Sequence, residues 1–367
     1  MAFTAQDVKA LREQTGVGMM ECKKALAESD GDMDKAFEYL RERGLAAANK
    51  KASRIAAEGV IIAYTDEANK NTVLLEINSE TDFVAKNDKF LAFGLDVAKT
   101  IAEVKPADVE ALNGAKLVGS DRTVEENLHD MILAIGENLK IRRFEIIPGN
   151  VVTYIHAGGT VGVAVVFDTD DATAAKDEFK AMGKNVAMQI AAMSPQYLGV
   201  DCISADEMAK LKAITVESSL NNPDSLPKPI LINLFAKAID GKLLSDADVA
   251  AYKEQKNNKF LFNFLSEDAV KALAQLAVAD KDEIVENKIF AGAVDGRMKK
   301  QIKEICLLEQ EFVRSDLFEG NVGGYINKVA KDLGAEIKAK SFVRFVKGEG
   351  IEKRVDNFAD EVAGMVK

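Results

Sequence analysis

From Gly59 the apolar positions fall into two short runs, GVIIAYTD and TVLLEIN, which predict a β-hairpin. The period then changes: Phe90, Gly94, Val97, Ala98 and Ile101 recur at helical spacing. The same plan returns further along, with GNVVTYIHAGG and VGVAVVFD as the hairpin and Phe179, Gly183, Val186, Ala187 and Ile190 on the helix. The helix positions match at a constant offset of 89, whereas Gly59 with Gly149 and Tyr64 with Tyr154 match at 90. The two stretches therefore read as an internal duplication of a hairpin-plus-helix unit that differs by one residue.

The flanking sequence is patterned differently. Val8 with Leu11, Met19 with Cys22 and Leu26, and Phe37 with Leu40 predict three short helices, broken at Thr15–Gly18 and at Gly31-Asp32, with Asp32 as an N-cap. A bundle this small needs a neighbour or a partner to cover it. Ala46 to Ala57 reads as a connecting arm, and Val124 to Leu139 as a helix leading into the strand of GENLKIRRFEII. Helical runs fill 205–220, 229–239, 246–255 and 267–278. Strand pattern resumes near Glu311-Phe312-Val313, and is followed by a helix to Leu333 and the strand SFVRFV. GEG at 348–350 is a hinge-like break before an amphipathic terminal helix. The expected fold class is α+β with antiparallel sheets. The expected domains are a head (1–54), two core subdomains (55–140, and 141–199 continued by 300–346), a helical insertion (200–299) and a terminal module (347–367).

The duplication acts as an internal control. Where the first copy has NSETDFVA the second has DTDDATAA, so Phe83 faces Ala172 or Thr173, depending on where the one-residue gap falls. The unit folds without an aromatic there, so Phe83 needs a reason outside the common fold. A loop aromatic folded back on its own core is the plain alternative.

Composition narrows the chemistry. Two histidines, no tryptophan, three widely spaced cysteines and the absence of phosphate-loop or nucleophile-elbow motifs leave little for an active site, a metal or a cofactor. A net charge of −11 gives no electrostatic drive toward nucleic acid. Residues 1–54 carry ten basic and nine acidic side chains, so the near-neutral head sits on an acidic remainder and suits an acidic protein surface. No apolar run is long enough to span a membrane, and no signal or transit pattern opens the chain, so a cytoplasmic location is expected.

LREQTGVGMMECKKAL, ETDFVAKND, GENLKIRR, VDGRMKK and RFVKGEGIEK, in this order, closely resemble the elongation factor Ts family, the guanine nucleotide exchange factors of elongation factor Tu. The stretch before VDGRMKK is longer than in compact members of that family. The resemblance implies a ubiquitin-associated-like three-helix head, two related core subdomains, a coiled-coil-like insertion and a C-terminal helical module. It places Thr81, Asp82, Phe83 and Val84 in a turn that inserts near the partner's magnesium site, with Phe83 as a wedge. It implies that Arg12, Met19, Met20 and Lys23 touch the partner's GTP-binding domain, that His156 reaches toward its phosphate loop, and that Phe358 and Val362 dock on one of its helices. Met19 is the weakest of these, since it shares a stripe with Cys22 and Leu26. His129 is incidental. KFLFNFL at 259–265 reads as buried core of the insertion, with a homodimer contact as the sharper alternative. The competing functional readings are a ribosome-associated or chaperone-like scaffold that uses the head, and an enzyme built from Asp, Glu and Lys alone.

Overall fold

The computed structural model describes residues 3–352. The predicted terminal helix, with Phe358 and Val362, lies outside the described residues. The head comprises α1 (Ala5–Thr15), α2 (Met19–Glu28) and α3 (Met33–Lys51). Thr4 and Asp7 form a capping box on α1, and Asp32 caps α3 through its side chain, as its place after Gly31 predicts. The third helix is longer than expected. It runs through Ala46 to Lys51, so half of the predicted arm is helix and carries Ala48 into the core of the next unit.

The first copy contains β1 (Glu58–Asp66), β2 (Asn71–Ser79), α4 (Asp82–Ala85), α5 (Asp88–Val104), α6 (Val109–Asn113), α7 (Val124–Ile135) and β3 (Lys140–Pro148). Helix α7 stops short of the predicted Leu139 because Gly136 takes φ +87° and closes it. The second copy has β4 (Asn150–His156), β5 (Val161–Asp168), α8 (Asp171–Ala174) and α9 (Asp177–Met193).

Next come α10 (Ala205–Asn221), α11 (Lys228–Asp240), α12 (Asp246–Gln255), α13 (Glu267–Ala279), α14 (Lys281–Glu286) and α15 (Lys288–Ile305), then α16 (Val322–Leu333) and β6 (Lys338–Val346). The strand expected near Glu311–Val313 is reduced to a single bridge between Glu311 and Asn321, with Phe312 buried.

Among the described residues two antiparallel sheets form, ordered β1-β2-β3 and β4-β5-β6. Their registers shift at matching places, between Glu76 and Ile77 in one and between Val166 and Phe167 in the other. The duplication thus extends to a third strand. Each sheet packs its helix on one face, α5 against β1 and β2, and α9 against β4 and β5. The opposite faces meet through Ile61, Leu74, Ile147, Ala164 and Phe345. Central strand β2 is buried along its whole length, which explains why it reads as a continuous apolar run rather than an alternating one. Gly94 and Gly183 recur because the helices lie very close to the first strands. A Cβ would come within 2.4 Å of Ile62 at one and 2.5 Å of Val152 at the other.

The head leans on the first copy as its size requires. Helix α3 packs along α7, and Leu133 and Ala134 complete the head's core.

Pro195–Phe312 with Glu319–Gly323 is a second compact unit, wider than the predicted insertion, and the expected boundary at 299/300 falls inside α15. Within this unit, α10, α11, α13, α14 and α15 surround one core that includes Leu220, Leu234, Phe235, Leu273 and Phe290. The unit's two ends are tied together. The amides of Gln196 and Tyr197 donate to the Ile305 carbonyl, and those of Leu307 and Leu308 donate to the carbonyls of Tyr197 and Leu198.

Candidate functional site

The segment leaving β2 is a helical turn, not an open loop. Thr81 sits at the N-cap of α4, and Phe83 follows with 82% of its surface exposed. This excludes an aromatic folded back on its own core. Its neighbours point the other way: Val84 packs against the first copy's core and Ala85 is buried. Asp82 pairs with Lys86 at 2.8 Å, and that hydrogen bond and charge hold its carboxyl below the usual range.

The turn is braced from beneath by GENL. The Glu137 carboxylate accepts from the amides of Glu80 (3.1 Å) and Thr81 (3.0 Å) and from the Thr81 hydroxyl (2.6 Å). In return Glu80 accepts the amide of Asn138 at 2.6 Å, and the Asn138 side chain donates to the Arg54 carbonyl at 2.7 Å. Gly136 in its left-handed conformation places Glu137. Sequence reasoning singled out neither Glu80 nor Glu137 as a site residue. The available signal was that ETDFVAKND and GENLKIRR stood out together.

The second copy resolves the gap. The matching bulges sit at an offset of 90, but the helical turns, with N-caps Thr81 and Asp170, sit at 89. The extra residue therefore lies in Asn78–Glu80, and Phe83 corresponds to Ala172, which is exposed on the equivalent turn. An alanine suffices there for folding.

Phe83 borders two open grooves. Arg54, Glu58, Lys86, Thr160 and Lys347 line one. The other is lined by Glu13, Thr15 and Gly16 of the head with Val84, Lys89 and Met131. The corner between α1 and α2 is thus brought beside the turn. Arg12 and Lys23 are exposed at this end of the head, and Arg12 accepts the Gly16 amide on its carbonyl. Met20 is 74% exposed. Met19 does not share the burial of Cys22 and Leu26; as the first residue of α2 it is half-exposed. His156 is exposed at the end of β4, 2.9 Å from the Tyr154 hydroxyl through Nδ1. Its carbonyl accepts the amide of Thr160, a residue of Phe83's groove, and Gly159 accepts the Ile61 amide on its carbonyl. The hairpin tip is thereby laid against β1. His129 contributes its backbone to the crossing with Gly44.

Glu76, read only as part of an apolar strand, is fully buried on the face between the sheets. Its carboxylate accepts from Arg142 (2.9 Å), Arg143 (2.6 Å), Asn78 (3.2 Å) and the Gly348 amide (2.8 Å). Burial pushes its carboxyl up, but the Gly348 amide and the two guanidiniums overcome this and hold it below the usual range. KIRR and GEG are thus joined through one carboxylate. Lys347 pairs with Glu58 at 2.5 Å beside the Phe83 groove.

In the second unit the aromatic run divides. Leu261, Phe262 and Leu265 join the core, whereas Phe260 (61%) and Phe264 (50%) are exposed, so those two are not the buried core residues the run suggests. Among the described residues, no group of three or more His, Cys, Asp or Glu could hold a metal ion, and no helix is long and apolar enough to cross a membrane.

Residues 80–349 match the family model described as elongation factor TS. The chain is 38% identical to an elongation factor Ts of Syntrophotalea carbinolica over 100% of both chains, and 38% identical to that of Clostridium perfringens over 99% of both. It is 35% identical to an elongation factor Ts of Magnetococcus marinus, again over 100% of both. From its first helix to its last described turn, this chain belongs to the elongation factor Ts family of translation elongation factors, and its work lies in protein biosynthesis.

Proposed function

We propose that this chain is a guanine nucleotide exchange factor for elongation factor Tu that acts by binding, without covalent chemistry, in the cytoplasm. The observation that carries the reading is Phe83: an aromatic held out to solvent on a braced turn, at a position its own duplicate fills with Ala172. Membership of the family supplies the partner.

In this reading Phe83 enters the partner's GTP-binding domain beside the magnesium site, with Thr81, Asp82 and Val84 shaping the inserted turn. The groups that hold magnesium-bound water move, and the grip on the GDP phosphates weakens. Arg12, Met20 and Lys23 add contacts from the head, Met19 contributes its exposed half, and His156 approaches the phosphate loop. Exchange needs only that the factor bind the nucleotide-free partner more tightly than the GDP-bound one. Linkage then requires that it weaken GDP binding by the same factor. Burying one phenylalanine contributes ~1.5–3 kcal/mol. That is about one to two decades of coupling, and the remaining contacts supply the rest.

The test is rapid-mixing release of fluorescent GDP from elongation factor Tu, with wild type and Phe83→Ala. Acceleration by wild type and a rate lowered about tenfold or more in the variant is the expected result. Equal acceleration by both would remove the wedge. No acceleration by wild type would remove the exchange function for this partner.

A further inference from the structure

The two copies hold the same helical turn by different means. In the second, Asp170 caps its own turn: its carboxylate accepts the Thr173 amide at 2.9 Å and the Thr173 hydroxyl at 2.7 Å. In the first, the N-cap side chain makes no such bond, because the Thr81 hydroxyl is committed to Glu137. A self-contained cap is therefore enough to form the turn, and the first copy uses instead a tie to the GEN segment behind α7. The tie is reciprocal. Glu137 takes the amides of Glu80 and Thr81, while Glu80 takes the amide of Asn138. Glu80 lies in the connector, Asn78–Glu80, that is one residue longer than its counterpart. Asn138, itself buried, passes the tie to the Arg54 carbonyl, and Arg54 stands 3.5 Å from Glu80.

A cap fixes the turn's own shape, whereas a clasp to another segment fixes its direction relative to the sheet. Direction matters only for the copy that carries something to aim. We infer that Glu80 and Glu137 are positioning residues for exchange: they form a clasp that sets the angle at which Phe83 leaves the surface, so that it enters the partner already oriented. This rests on the exchange reading above. A pre-aimed wedge is an entropic advantage realised when the partner's nucleotide site is displaced, so loss of the clasp lowers the maximal release rate more than it weakens association.

The experiment is a double-mutant cycle in the full chain, combining Glu137→Ala with Phe83→Ala, with GDP release from elongation factor Tu followed over a range of factor concentration. Glu137→Ala is expected to lower the saturating release rate about tenfold in the presence of Phe83, with a smaller change in the half-saturating concentration, and to change nothing further once Phe83 is alanine. Glu137→Gln, which keeps one acceptor oxygen, recovers part of the loss. Asp170→Ala, which loosens the equivalent turn that carries no aromatic, leaves release at the wild-type rate. On the free protein, hydrogen exchange at the amides of Glu80 and Thr81 is faster in Glu137→Ala while the melting of the chain is kept. This readout needs no partner and reports the clasp itself. Equal loss in both backgrounds, or full activity in a folded Glu137→Ala chain, overturns the inference and leaves the exchange reading intact. Failure of wild type to accelerate release overturns the exchange reading and, with it, the role assigned to the clasp.

Discussion

Replacing Glu76 by alanine would leave Arg142 and Arg143 facing a void between the two sheets. The carboxylate is fully buried and accepts four hydrogen bonds, two from guanidiniums whose side chains are 22% and 32% exposed. Removing one partner of a buried ion pair costs about 3–5 kcal/mol, chiefly because the other charge is left desolvated. Here both arginines keep some access to water, which places the effect near ~3 kcal/mol. For a unit of this size, that is a fall of roughly 6–12 °C in the transition that melts the sheets.

The dependence on pH has a definite sign. The carboxyl is held below its ordinary value, so its contribution is complete above the unfolded-state pKa of about 4.3 and is lost as pH falls through the lower folded value. Scanning calorimetry of wild type and Glu76→Ala at neutral pH and at stepped acid pH should show the gap in melting temperature narrowing once pH drops below about 4. A variant melting within about 2 °C of wild type at neutral pH would refute the reasoning, as would a gap that widens in acid.

The paired glycines give a ranking. A Cβ at Gly94 meets the movable end of Ile62, whereas at Gly183 it meets both branches and the Cβ of Val152, so Gly183→Ala should destabilise more than Gly94→Ala, within the ~1–3 kcal/mol range of overpacking. Denaturant or thermal melts check this, and the reverse order would contradict the packing described. Met20→Ala should leave melting within about 2 °C of wild type, because its side chain is mostly in water, while weakening association with elongation factor Tu in titration calorimetry.

What the sequence disclosed follows from what is local in it. The hairpins, α5 and α9, and the caps at Asp32 and Gly16 depend on residues within a few positions of one another, and each carries its own pattern. Phe83 was legible as a candidate because the duplicate supplied a comparison. The pairing of β6 with β5 was not, since Val346 and Val161 lie on opposite sides of the whole helical unit in the sequence. Glu76 was hidden for the opposite reason. One charge inside Val73–Ile77 looks like an exposed strand position until two arginines from another strand and an amide from the 348–350 turn converge on it. The exposure of Met19 depended on where α2 begins, a boundary that periodicity places only loosely.

The joined ends of the helical unit bear on how the second sheet is assembled. Strand β5 waits for β6, and a free chain of the length Pro195–Phe312 would add closure entropy to that pairing, by about 0.6 kcal/mol for each doubling. With Gln196 and Tyr197 bonded to Ile305, and Leu307 to Tyr197, the folded unit replaces that long tether by a short one whose two ends are already together. The sheet is then indifferent to how much chain lies between those ends. Residues added in the turns between these helices leave the two bonded ends, and with them the register of β6, unchanged, so this is the place where the molecule can gain length and still close the same sheet.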